Sequence, residues 1–542
     1  STARGLPDGN HIDNAYMATY PDGTPPTMAM FLWHTPGDAT DPVIPVSGSH
    51  DASILYHEYI HGLSNRLVVD ATGQSTLNSI QAKSMGEAWS DYYSMDYLVA
   101  QKLQRDTRRD GQVRDAKYVL ADQFTFRNMA MDCDRKSTAK FCTDINGDHG
   151  YTYGDFATLP GGPEVHASGE IWTQTLWDLR ERLGHRTATM LITRAMELSA
   201  ADPSFLDMRN AILQADLVAY GARHSRDIWR VFANRGMGWF AGSVDSSDLR
   251  PGQDFHLPPS IQTPRATLAG LVTDPTTGRP VANALVSVTG HESGGLGNYQ
   301  DHTSARGVYQ INNVYPGTYR KVIAFKRGHE LGVARSVTVK RNASRFTRHD
   351  FTIRRDWAAR SGGASIVNFN GPDYTDFGCG PAEAIDLSQV TGWGSTTGDD
   401  IGTPTNTSVP KYIVIQLPRA IDVTAGKRSA VGAAFKVDPT AVCGDPISAS
   451  TDRFRIDLSR DGTTWTTVQR GSFGTVDDPN AQYRFFRVGS KVDFPGTHYV
   501  RYWMLTPQVP DFKTNCPNEP YAGCTFMDTA EVEVFGRPAA AP

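Results

Sequence analysis

The sequence predicts a multi-domain chain, with a mostly helical α+β unit over residues 1–258 followed by two all-β units over 259–355 and 356–542. Three observations lead there. The chain has 542 residues, whereas a single hydrophobic core stops growing near ~250–300. In the first part apolar residues recur at helical spacing, as in "KSMGEAWSDYYSMDYL" (83–98), which reads as a half-buried helix. Past "FHLPPSIQTPRATLAG" (255–270) the pattern changes to short alternating runs such as "ALVSVTG" and "VYQINNV", separated by "DPTTGRP", "SARG" and "YPGTY". Those are strands and turns.

Composition narrows the function classes. Hydrophobic residues are 39% and charged residues 20%, ordinary for a soluble globular protein. A net charge of −5 with no long basic run gives no electrostatic footprint for nucleic acid. No apolar stretch reaches the ~20 residues needed to span a bilayer. Six cysteines fall into three local groups, Cys133 with Cys142, Cys379 with Cys443 and Cys516 with Cys524. Proximity favours that pairing among the roughly 15 that six cysteines allow, and with it an oxidising compartment; reduced structural cysteines are the competing reading.

Residues 57–67 read "HEYIHGLSNRL". Residues four apart share a helix face about 6 Å apart, so His57 and His61 can reach one metal ion. Glu58 then sits beside that ion, where a general base must be to take a proton from zinc-bound water. Alone, the same letters also describe an ordinary surface helix. The 83–98 helix supplies a third ligand. Glu87 and Asp91 lie four apart among Met85, Trp89, Tyr92, Tyr93 and Met95. Burying two acids there is costly unless cations or donors meet them. His57, His61 and Glu87 form a three-ligand set without cysteine, which favours a catalytic zinc with one position open over a structural one. Asp91 is placed to accept the N–H of a ligating histidine. Solvated acids on an exposed helix are the alternative.

"HEYIHGLSNRL" followed by "MGEAWSDYYSM" resembles the fungalysin family of secreted metallopeptidases, relatives of thermolysin. The resemblance implies a thermolysin-like α+β metallopeptidase domain, mostly its helical part, with Glu87 as third zinc ligand. "DNAYMATYPDGTPPTMAMFLW" (13–33) is similar to the family's edge-strand segment, implicating Asn14 and Ala15 in aligning the substrate backbone. "PEVHASGEIWTQTLWDL" (163–179) is similar to the segment whose histidine stabilises the tetrahedral intermediate, which implicates His166. The likeness runs on through "MRNAILQADLVAYGARHSRDIWRVFANRGMGW" (208–239) and so covers roughly the first 250 residues. Residues 264–355 resemble the carboxypeptidase regulatory-like module, a transthyretin-like β-sandwich, and 356–540 resemble a discoidin-type, galactose-binding-like jelly roll, a class that binds carbohydrate, polymer or cell surfaces or serves as a spacer. No catalytic constellation stands out in the carboxypeptidase regulatory-like module; His291, His302 and His329 there read as surface or packing residues.

One departure stands out. Family members carry a sizeable β-rich portion before the zinc helix, and here only 56 residues precede His57. The expectation is a processed chain, cut shortly before Ser1, whose N-terminal fragment stays associated and completes the sheet. "DINGDHGYTYGD" (144–155) places Asp144, Asn146 and Asp148 at alternate positions like a calcium loop, but lacks the glutamate at the twelfth position; an Asx-rich turn is an equal reading. Sequons occur at Asn342 and Asn406. The first functional reading is a secreted zinc endopeptidase acting on peptide or protein substrates. The alternative is a catalytically reduced adhesion or polymer-binding protein that works through its C-terminal β units.

Overall fold

The computed structural model describes residues 12–20, 23–35, 37–107, 109–292, 297–341, 346–389, 391–424, 433–474, 485–516 and 521–539; the sequon at Asn342 lies outside them. Its architecture is a helical unit followed by two β-sandwiches.

The helical unit contains α1 (Ala52–Leu67), α2 (Ile80–Ala100), α3 (Val165–Leu183), α4 (His185–Leu198), α5 (Phe205–Tyr220) and α6 (Ser225–Asn234). Local signals set their ends. Asp51 caps α1 by accepting from Ser53 N, and its other oxygen accepts from Tyr118 and Val119 N, which pins the helix start to the 116–120 loop. A Ser204/Asp207 capping box opens α5, and Gly221, at φ 61°, closes it in the left-handed region. α2 packs against α1 on one side and α3 on the other. Met85, Ala88, Trp89, Tyr92 and Met95 are consequently all buried. This corrects the half-buried helix expected from periodicity, because periodicity records one apolar stripe and not a second neighbour covering the other side.

Ahead of α1 lies an antiparallel pair, β1 (Ala15–Ala18) and β2 (Thr27–Met30), in the register Ala15↔Met30 to Ala18↔Thr27. It rests near a small core of Trp33, Ile54, Ala116, Val119 and Leu120. Deeper in the unit, Arg235 is 0% exposed. It donates to both oxygens of Asp178, to the carbonyls of Cys133 and Tyr151, and to Gln174 Oε1, tying α3 to the irregular 130–155 segment.

The second unit runs through β3 (Ala266–Asp274), β4 (Arg279–Pro280), β5 (Leu285–Val288), β6 (Gln300–His302), β7 (Val308–Val314), β8 (Gly317–Phe325), β9 (Gly332–Val339), β10 (Thr347–Arg348) and β11 (Phe351–Thr352). One sheet gathers β4, β7, β10 and β11 around β3; the other has the order β6-β5-β8-β9. Between them lie Leu268, Val272, Val286, Tyr309 and Val322, and the helical unit adds Trp229, Trp239 and Phe240 to the same cluster. Arg209, buried on α5, donates to the carbonyls of Met237, Gly238 and Gly290. Buried Lys321 on β8 pairs with Asp248. His291 is a packing residue: buried, stacked on Tyr299, with Nε2 against Trp239 O.

The third unit runs through β12 (Ser365–Phe369), β13 (Trp393–Thr396), β14 (Lys411–Thr424), β15 (Phe435–Asp438), β16 (Thr451–Ser459), β17 (Thr466–Ser472), β18 (Phe486–Val488), β19 (Asp493–Pro507), β20 (Phe526–Thr529), β21 (Glu531–Val534) and β22 (Arg537–Pro538). A sheet of order β12-β14-β19-β16-β17, with β22 on β14, shares its core with the sheets β18-β15-β21 and β13-β20. Period-two alternation sends Ile413, Ile415, Val500 and Tyr502 inward. The join to the second unit is buried. Arg354 pairs with Glu330 and donates to Ala433 O, and Trp357 bonds Val534 O and Gly536 O. Disulfides join Cys133–Cys142, Cys379–Cys443 and Cys516–Cys524, the pairing that proximity favours.

Arg235→Met removes the buried fork and leaves Asp178 and three other acceptors without it. The expected loss is about 3 kcal/mol, read as a fall of roughly 6–12 °C in the first thermal transition. A shift under ~2 °C would show that Arg235 is not a structural keystone.

Candidate metal centre

His57 and His61 project from α1 and Glu87 from α2. The two Nε2 atoms are 3.2 Å apart, and Glu87 Oε2 lies 3.2 Å from that of His57 and 3.7 Å from that of His61. Ligands held tetrahedrally at ~2.0–2.1 Å from zinc are separated by about 3.3 Å. The triangle therefore fits that ion in size and in donor chemistry. Among the described residues this is the one group of three His, Cys, Asp or Glu side chains close enough to hold a metal. Glu87 Oε2 is also buried without a hydrogen bond, a costly state for a carboxylate that has no cation to face.

Behind the triangle, His57 Nδ1 lies 2.8 Å from Asp91 Oδ1. A carboxylate accepts and does not donate, so Nδ1 carries the proton and Nε2 keeps its lone pair for the centre. Arg127 grips the same carboxylate with two bonds of 2.9 Å, from Nε and Nη2. Burial alone would raise the Asp91 pKa, but Arg127 and His57 hold it below the usual carboxylate range.

Glu58, 6% exposed, lines the cleft with the triangle. Burial pushes its carboxyl up to about 7, partly opposed by His57. His166 enters from the first turn of α3, with Nε2 3.2 Å from Glu87 Oε2. Its Nδ1 lies 2.7 Å from Glu164 Oε1, while Glu164 Oε2 caps α3 by accepting from His166 N and Ala167 N. The cleft has a volume of about 680 Å³. Asn14, Ala15, Tyr16, Trp33 and Phe126 form part of its wall. Asn14 is exposed beside β1, its Oδ1 accepting from Ala15 N and its carbonyl from Phe31 N.

A close approach of two helices allows this geometry. A Cβ at Gly169 of α3 would come within 2.8 Å of Ser84 O and 3.5 Å of Glu87 Cβ on α2. The structure thus brings His57, Glu58, His61, Glu87, Asp91 and His166 to one place, with Asn14 and Ala15 on the same cleft. Sequence reasoning missed Arg127 and Glu164. Arg127 sits in an irregular loop without periodicity, and glutamate ranks low among helix caps, so the spacing Glu164 to His166 gave the one available hint. Away from the centre, Asp144 Oδ1 accepts from Asn146 N and Asp148 N, and Oδ2 from the Tyr151 hydroxyl, an Asx-turn arrangement.

Residues 4–241 match the model of the fungalysin metallopeptidase family, and residues 267–354 that of the carboxypeptidase regulatory-like domain. An extracellular metalloproteinase of Leptosphaeria maculans is 30% identical over 276 residues, covering 47% of this chain and 39% of that protein. Extracellular metalloproteinase 2 of Phaeosphaeria nodorum is 31% identical over 254 residues, covering 43% and 36%. The chain thus spans less than two-fifths of the length of these relatives. Among solved structures, CBM32-3 from a family 31 glycoside hydrolase of Clostridium perfringens aligns with 32% of this chain and 91% of its own, at 16% identity and a TM-score of 0.23.

Gly169→Ala forces α3 away from α2, because Ser84 O is backbone and cannot swing aside. Overpacking of this kind costs about 1–3 kcal/mol. The expected result is a lower melting temperature together with weaker zinc retention on dialysis; parent-like values for both would show that the contact is looser than the geometry states.

Proposed function

We propose that this chain carries the catalytic centre of a secreted zinc endopeptidase that hydrolyses peptide bonds in protein substrates. The observation that carries the reading is the coincidence, in one cleft, of a zinc-sized donor triangle with a buried carboxylate, Glu58, that is not part of it. In this reading His57, His61 and Glu87 hold the metal. When bound, zinc supplies Lewis acidity and lowers the pKa of water toward neutrality. Glu58, lifted to about 7 by burial, is poised to accept a proton from the attacking water and pass it to the departing amine. His166 donates Nε2–H to the oxygen that gains charge; because Glu164 accepts from Nδ1, it does so as an imidazolium with a proton on each nitrogen. Asp91 fixes the His57 ring. Asn14, through its side chain, and Ala15, through its backbone, align the substrate chain along the edge of β1.

Several supports converge on secretion. Three disulfides suit an oxidising compartment, and the matched relatives are named extracellular metalloproteinases. Among the described residues no helix is long and apolar enough to cross a membrane. Thermolysin-like is our finer reading of the first unit, transthyretin-like of the second and jelly roll of the third. An associated fragment of the same precursor is our proposal for what pairs with the two-stranded β1–β2 sheet, since so small a sheet is marginal by itself. One zinc suffices; the 144–148 turn is satisfied by its own hydrogen bonds. The competing reading, an adhesion or polymer-binding protein with reduced catalysis, gains no support from a site in which donors and base stand together.

Glu58→Gln is expected to retain zinc while casein hydrolysis falls at least about 10²-fold, the scale of a lost general base. Activity within tenfold of the parent would sink the assignment. His166→Phe is expected to lower kcat about 10²-fold with metal content unchanged, the scale of one lost oxyanion donor. An unchanged rate would remove His166 from the mechanism.

A further inference from the structure

Four residues beyond His166 on α3, Glu170 points to the far side of the metal site. It is 3% exposed. Its Oε1 accepts from Asn128 N and Asn128 Nδ2, both at 2.9 Å, and its Oε2 from Met129 N at 3.0 Å. Among the described residues, the backbone N–H groups from Phe124 to Met129 that find acceptors are those of Asn128 and Met129, and both acceptors are Glu170 oxygens. The segment has no helix or strand of its own. The next residue back along the chain is Arg127, whose two bonds to Asp91 set the orientation of the carboxylate that orients His57. Glu170 does not reach Asp91 itself: both line a cavity of about 10 Å³, with Asp115, Arg127 and Thr173 between and around them. From the Glu170 carboxylate, the hydrogen bonds among the described residues lead to residues 128 and 129, and so along the backbone to Arg127 and Asp91.

We infer that Glu170 is a positioning residue for the metal centre: its carboxylate anchors the 128–129 backbone so that Arg127 holds Asp91, and through Asp91 the His57 ring, in ligating orientation. All three groups that meet Glu170 are donors, so the position needs an acceptor on both oxygens. A hydrophobic residue would leave buried N–H groups unpaired, and glutamine would turn an NH₂ toward one of them. Helix α3 thus serves the site twice, placing His166 beside Glu87 on one turn and fixing the loop behind His57 on the next.

The inference rests on the zinc reading above, and its test is chosen to be separable from it. The full chain and its Glu170→Gln, Arg127→Met and doubly substituted forms are compared by zinc affinity, measured by competition with a chromophoric chelator, and by the absorption spectrum of the cobalt(II)-loaded protein. Both readouts work even if the chain hydrolyses nothing, an outcome that would sink the peptidase reading alone. Glu170→Gln is expected to weaken zinc binding about 10-fold, the scale seen for lost outer-shell partners, and to shift the cobalt bands. In an active parent it also lowers kcat with KM nearly unchanged. Because Glu170 acts through Arg127, the double substitution is expected to match Arg127→Met alone. Additive losses, or unchanged zinc affinity and cobalt bands alongside a lowered melting temperature, would overturn the inference and leave Glu170 a purely structural residue. Should Glu170→Gln not accumulate, Asn128→Ala removes one of the three donors and keeps the carboxylate; a weakening of about 3-fold supports the inference and parent-like binding refutes it.

Discussion

The first unit is organised around a cost that α2 imposes. This helix is apolar on two sides and enclosed by α1 and α3, yet it carries the buried Oε2 of Glu87 and, one turn on, the carboxylate of Asp91 out of water. Taking each charge from solvent costs several kcal/mol unless cations and donors meet it. Every unusual feature nearby answers that cost. Arg127 reaches Asp91 from a loop, His57 bridges the two acids, and His61 and His166 bring further imidazoles to Glu87. The arrangement meets Asp91 fully and leaves Glu87 Oε2 facing nitrogens without a hydrogen bond. In the proposed reading, a divalent cation at the centre of the triangle supplies the partner that Glu87 Oε2 lacks.

Residues 255–265 run largely exposed and irregular between the helical unit and β3, yet buried contacts cross both unit boundaries. Trp229, Trp239 and Phe240 leave the helical unit and enter the core of the first sandwich, while buried Arg209 caps carbonyls on both sides of the boundary. At the second junction Arg354 lies over the Phe535 ring and binds Glu330 and Ala433 O, so Arg354, Asp356, Trp357 and Ala358 are core and not tether. Junctions of this kind resist hinge motion, because opening them would expose apolar surface and unpaired buried charge together.

What the sequence revealed followed from how locally each feature is encoded. The His57–His61 pair is set by helical spacing, the strands of the third unit by alternation, and the Cys133–Cys142 and Cys516–Cys524 bridges by separations of 9 and 8, all readable within a short stretch. Depth of burial was not readable in this way. α2 was expected at the edge of a core, and it lies inside one, since the neighbour that covers it is α3, which begins 65 residues after α2 ends (Ala100 to Val165). Arg127 and Glu170 escaped for a related reason. Each matters through a partner far along the chain, Asp91 in one case and the 128–129 backbone in the other, and no local spacing names that partner.

In the proposed reading, burial also grades the site in a way that suits division of labour. Asp91 is 3% exposed at its side chain and locked by three bonds, and the triangle is fixed between two packed helices. His166 is 47% exposed, and its ring is tied by Glu164 alone apart from its approach to Glu87. A group that must keep a metal gains from rigidity, because every ångström of ligand drift weakens coordination. A group that meets a charge appearing only during reaction must be reachable by substrate, and it can tolerate a softer hold in the free protein. Glu164 reconciles the two demands: by capping α3 with one oxygen and holding Nδ1 with the other, it ties the His166 ring to the N-terminus of α3 while leaving Nε2 facing the cleft.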